Sequence, residues 1–113
     1  MKQKSFSFAV RIVNLYKYLG NQHKEYVLSK QILRSGTSVG ANIQEAEFAQ
    51  SNLDFIHKRS ISQKEINDTI YWLNLLKETN YIKEVQFESL NNEAIEIFKI
   101  ITSSIKTMKA KTA

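Results

Sequence analysis

No proline interrupts this chain, and only three glycines occur in its 113 residues. Turns and loops normally draw on both residue types, each for its own backbone reason. A chain this poor in them has few places to break and is expected to fold as long helices. The apolar spacing agrees. Phe87, Leu90, Ala94, Ile97, Ile101, Ser104 and Met108 recur at intervals of three and four, which puts them on one helical face in a sustained heptad.

Four such segments follow one another. The first runs from about Ser5 to Leu19, with one row at Phe8, Ile12, Leu15 and Leu19 and a second at Phe6, Ala9, Val13 and Tyr16. Two rows make a stripe wider than one bundle face requires. Gly20-Asn21 is expected to stop this helix, glycine taking the left-handed conformation. The second helix spans about 24–49, with Leu28, Ile32, Val39, Ile43 and Ala46 on one face and Gly36 between Ile32 and Val39. The third spans 52–79, opened by a Ser51 cap with Asp54 three residues on and closed at Asn80; its row is Phe55, Ser62, Ile66, Leu73 and Leu76. The fourth spans about 85–109. Links this short make successive helices antiparallel neighbours. The expected fold is therefore all-α: a single domain over residues 1–113 forming an antiparallel up-and-down four-helix bundle.

Composition limits function. The chain has no cysteine, so neither disulfides nor thiolate metal sites are available, in keeping with a reducing cytoplasm. No signal peptide is visible, and no stretch approaches the roughly 18 apolar residues of a membrane span. The expected location is cytoplasmic, with no membrane partner. The net charge of +5 is unevenly spread: residues 1–34 carry a net +6, residues 35–98 a net −5 and residues 99–113 a net +4. Up-down-up-down threading would bring the chain start, the turn near residues 50–51 and the chain end to one pole. That gathers Lys2, Lys4, Lys58, Arg59, Lys106, Lys109 and Lys111, a candidate surface for a phosphate backbone. The plainer reading is a solvated end whose lysines confer solubility. At the other pole Lys24, Glu25, Lys77, Glu78, Lys83 and Glu84 largely cancel.

Catalytic and metal chemistry find little support. Asp54 and His57 stand three apart, but a bundle metal site needs that pair twice with two further glutamates, and His23 falls in an expected turn. Asp54 as a cap and His57 as a solvated residue is the simpler account. No serine lies in a nucleophile elbow. The glycines of Arg34-Ser35-Gly36-Thr37-Ser38-Val39-Gly40-Ala41-Asn42-Ile43-Gln44-Glu45-Ala46 are not followed by the Lys-Ser/Thr of a phosphate loop. Each costs about 1 kcal/mol in a helix, and close approach of another helix would offset that. Ser38, Asn42 and Glu45 share one face and suit a polar strip against neighbouring helices. Ile70, Leu73 and Leu76 account for the inner face of the third helix, leaving Trp72 to point elsewhere, toward a subunit contact or an unpaired base.

The 34–46 segment resembles the signature of the bacterial 23S ribosomal RNA intervening-sequence protein family. Leu53-Asp54-Phe55-Ile56-His57-Lys58, Ser62, Glu65, Tyr71-Trp72-Leu73 and Tyr81-Ile82 continue the likeness, which covers about Phe6 to Lys109. The resemblance implies a four-helix bundle, a ring-like homopentamer, no catalysis and no cofactor. A related branch comprises the accessory variability proteins of diversity-generating retroelements, which bind nucleic acid and a reverse transcriptase. By motif position Ser38, Asn42, Glu45, Ser62 and Glu65 are the recurring polar residues, and their role is read as structural.

Two functions follow as expectations. One is a non-catalytic, oligomeric bundle that binds nucleic acid, RNA above all, by charge and shape. The other is a protein-interaction scaffold, such as an adaptor for a reverse transcriptase or another polymerase.

Overall fold

The computed structural model describes residues 1–112. Four helices account for nearly all of them: α1 Lys2–His23, α2 Leu28–Glu47, α3 Asn52–Glu78 and α4 Glu84–Thr112. Each packs antiparallel to the next, forming an up-and-down bundle with extents of 49 × 21 × 20 Å. Among the described residues, no helix is long and apolar enough to cross a membrane.

The core lies where the apolar rows converge. Phe8, Ile12 and Leu19 of α1, Ile32 and Val39 of α2, Ile66, Leu73 and Leu76 of α3, and Ala94, Ile97 and Ile101 of α4 are all completely buried. The second row of α1 is only partly covered, and Phe6 is 69% exposed. Near its end α4 departs from the heptad: Ile105 takes the buried position and Ser104 is only partly buried. A straight helix drifts about 20° per heptad against a strict seven-residue repeat.

The first turn differs from the sequence expectation. Gly20 does not stop α1; the helix continues to His23, and Lys24 adopts the left-handed conformation with φ 52°. Lys24 N–H donates to the Gly20 carbonyl and Glu25 N–H to that of Leu19, so two of the last carbonyls are satisfied around the left-handed residue. Gly20 serves instead as a flat seat for Tyr26. A β-carbon there would lie 3.1 Å from the tyrosine ring, whose hydroxyl donates to the Gly20 carbonyl at 3.1 Å. Residues 24–27 are thus linker, and α2 begins at Leu28. Its start is held by the Glu25 carboxylate, which accepts from the backbone N–H groups of Val27, Leu28 and Ser29. Burial pushes that carboxyl up, but the bonds from Ser29, Leu28 and Val27 together outweigh it, and its pKa lies below the ordinary value. Both ends of α3 follow expectation, whereas α1 begins at Lys2, α2 ends at Glu47 and α4 runs on to Thr112. The Ser51 hydroxyl accepts from Asp54 N–H at 3.0 Å, and Asn80 closes α3 at φ 67°.

Gly36 and Gly40 both lie on the side of α2 that meets α1, but they differ in tightness. A β-carbon on Gly36 would come within 2.8 Å of Ile12 Cγ2 and 2.9 Å of Cγ1, whereas one on Gly40 would stand 3.4 Å from Ser5 Oγ. Ile12 is β-branched and fully buried, so its near carbons cannot swing aside. Overpacking of about 1–3 kcal/mol therefore outweighs the helix-propensity gain of about 1 kcal/mol at residue 36 but not at residue 40. Gly36→Ala is expected to lower the urea midpoint, and Gly40→Ala to raise it or leave it unchanged.

Candidate nucleic-acid interface

Threading brings the start of α1, the α2–α3 turn and the end of α4 to one pole, and with them the basic residues that the sequence distributes between positions 2 and 111. Lys2 pairs with Glu47 across to α2 at 3.5 Å, and Lys58 with Glu45 at 3.7 Å. Lys4 reaches across to α4 and pairs with Glu96 at 2.8 Å. Lys106, Lys109 and Lys111 are exposed and make no ion pair among the described residues. Glu45, Glu47 and Glu96 were not placed at this pole by sequence reasoning. Each sits on the polar side of its helix, and only the superposition of helix ends reveals its partner. Exposed pairs of this kind are worth about 0–1 kcal/mol, so an arriving phosphate competes with them at little cost.

Arg59 is held differently. Its guanidinium lies 4.8 Å from the Phe55 ring centroid and donates to Ser104 Oγ at 3.2 Å. Burial pushes it below its ordinary value, opposed by the charge of Glu47. Phe55, assigned by its spacing to the core row, is only partly buried; it lines an open groove of about 420 Å³ with Ile100, Ser103, Ser104, Thr107 and Met108. A second groove, about 870 Å³, runs between the start of α1 and the end of α2, past Phe6, Thr37, Gly40, Ala41 and Gln44.

The recurring polar residues divide into two groups. Ser38 donates to the Arg34 carbonyl at 2.7 Å and Asn42 to the Ser38 carbonyl at 2.9 Å, so both turn back on α2. Glu45 is exposed beside Lys58. They form no strip against other helices. The buried strip lies one position over, where α2 meets α3. Ser62 Oγ donates to the Val39 carbonyl at 3.0 Å, the Ser35 and Thr69 hydroxyls are 2.9 Å apart, and Thr69 also donates to the Glu65 carbonyl. The Glu65 carboxylate, 7% exposed as a residue, meets Arg34 at 3.2 Å and Lys64 at 3.8 Å.

Trp72 leans on the core as a partly buried residue; Tyr71, 62% exposed, stands edge-on to it. Among the described residues no three His, Asp or Glu side chains converge on a metal-sized site. His57 is exposed, and Asp54 accepts from Gln50 N–H. His23 ends α1 at the opposite pole between the rings of Tyr18 and Tyr81. There Lys77 is shared between Glu78 and Glu84, and with Lys24, Lys83 and Glu25 counted the formal charge at that end sums to zero.

The signature segment is thus spent on two helix seams, and residues 1–103 match the 23S rRNA-intervening sequence protein family. The chain belongs to that family. A solved structure of an S23 ribosomal protein family member from Bacteroides thetaiotaomicron, described as of unknown function, superposes with a TM-score of 0.92. It is 63% identical over 93% of this chain and 97% of the other. No curated protein matches the chain. For this family member, the buried hydroxyl strip accounts for Ser62 without any ligand. Ser62→Ala and Thr69→Val are each expected to cost about 1 kcal/mol of stability, measured by urea denaturation.

Proposed function

We propose that this family member is a non-catalytic, homo-oligomeric bundle that binds nucleic acid, RNA in the first instance, through its basic pole. The supporting observation is the convergence of Lys106, Lys109 and Lys111, which carry no internal partner among the described residues, with Lys2, Lys4, Lys58 and Arg59 at one end of the rod. The opposite end is neutralised, so the molecule presents one basic face. The family's name, which refers to sequences intervening in 23S rRNA, favours RNA among polyanions. With no aromatic-lined sheet or zinc module, recognition rests on charge and shape.

Oligomerisation strengthens the reading. Phe6, Phe48 and Leu53 are about 70% exposed or more around the same end of the bundle, and apolar surface of this kind favours contact with another subunit. A ring of subunits repeats the basic pole around an axis, turning a modest patch into an extended field. The second reading, an adaptor for a polymerase, draws on the same exposed side chains.

Binding to RNA is expected to weaken linearly in log K against log salt. Replacing Lys2, Lys4, Lys106, Lys109 and Lys111 by glutamine should flatten that slope by about 0.7–0.9 for each lysine that meets a phosphate. Unchanged binding by that variant would reject the pole; no binding of any RNA at low salt would favour the adaptor. Light scattering at micromolar concentration is expected to give a multiple of the 13.1 kDa chain mass, and a monomer alone would overturn the oligomer.

A further inference from the structure

The groove between the start of α3 and the end of α4 has features that charge alone does not require. α1 meets α4 through Arg11–Glu93 and Lys4–Glu96, and α4 continues past those contacts to Thr112. Along this overhang the side next to α3 is open. Phe55, Ile100 and Met108 form its apolar wall, and the Ser103, Ser104 and Thr107 side chains line the rest. Its volume, about 420 Å³, falls within the roughly 300–1,000 Å³ of small-ligand sites. No carboxylate lines it.

The charge around the groove is one-sided. Lys99, Ser103, Thr107 and Lys111 follow one another on α4 at steps of four, and Lys106 stands three past Ser103, all exposed, so the three lysines border the two hydroxyls along one side of the helix. The carboxylates nearby are already engaged: Glu45 by Lys58, Glu47 by Lys2, Glu96 by Lys4 and Asp54 by Gln50 N–H. Arg59, anchored on Ser104, sits against the Phe55 ring. An occupant must therefore combine a flat apolar part with an adjacent negative charge. An unpaired nucleotide in a nucleic-acid chain has both, and base–aromatic stacking accepts any base.

We propose that this groove seats one unpaired nucleobase against Phe55, with Lys99, Lys106 and Lys111 on the flanking phosphates. The proposal rests on the nucleic-acid reading above and sharpens it. Paired bases keep both faces inside the stack, so the groove selects single strands, loops or ends over continuous duplex, whereas the lysines alone bind either.

The test is fluorescence anisotropy at low salt on the full chain, with a labelled 12-nucleotide RNA that cannot pair with itself and with the blunt duplex of the same length. Wild type is expected to favour the single strand. Phe55→Leu keeps the apolar volume but removes the ring; it should weaken single-strand binding about ten-fold and leave duplex binding unchanged. Phe55→Trp should restore the preference. A strand carrying abasic sites should bind wild type and Phe55→Leu equally. Circular dichroism and melting of each variant confirm that the bundle is intact. Phe55→Leu binding both RNAs as wild type does, in a folded bundle, would overturn the base seat and leave the basic pole standing. Failure of wild type to bind either RNA would overturn both.

Discussion

The arrangement depends most on how closely α2 can approach its two neighbours. On one side Ile12 of α1 occupies the space that a side chain at residue 36 would need, with its Cγ2 2.8 Å from the position of a β-carbon there. On the other side Ser35, Ser62 and Thr69 bridge α2 and α3 through hydroxyls that are buried and hydrogen-bonded. A close apolar contact sets the distance and the polar bonds set the register, because a buried hydroxyl that loses its partner costs more than a slipped methyl group. With α2 held on both faces, Glu45 and Glu47 come to lie beside Lys58 and Lys2, and the helix ends line up at one pole.

The remaining seams carry side-chain pairs of their own. α1 meets α4 through Arg11 with Glu93 and Ser89, and Lys4 with Glu96. α3 meets α4 through a buried apolar row flanked by Gln63–Thr102 and Arg59–Ser104. This division of labour has a functional side. Where α4 runs beyond its contacts with α1, it leaves lysines, hydroxyls and an aromatic edge open at the same end. The 34–46 residues are mostly occupied in holding the helices; the residues available for a ligand lie outside that segment, Phe55 and Lys58 in the stretch that continues the family likeness.

Much of the fold was legible in the chain. Phe8-Ile12-Leu15-Leu19 and Leu90-Ala94-Ile97-Ile101 read directly as core because a helix presents every third and fourth residue to one side. Ser51 and Asn80 read as helix ends because each is suited to its backbone role. Gly20 misled for a related reason. Glycine serves equally as a left-handed terminator and as a flat contact surface, and only the presence of the Tyr26 ring decides between them. Lys24 then took the left-handed position that the sequence offered to glycine. The candidate site was legible only in part. The lysines at both chain ends were visible, but their acidic partners and the Phe55 groove were not, because both depend on which residues of separate helices meet.

The number and order of the helices and most of their inward faces were determined by the sequence alone, since these follow from periodicity and short links and act over a few residues at a time. The pairing of Lys2, Lys4 and Lys58 with glutamates, the retreat of Ser38 and Asn42 onto their own helix, and the partial burial of Phe55 were decided only in the tertiary structure. These depend on side-chain distances of a few ångströms between helices remote in sequence. Those distances are set by how deeply the helices interlock, which in this bundle turns on the space left at Gly36.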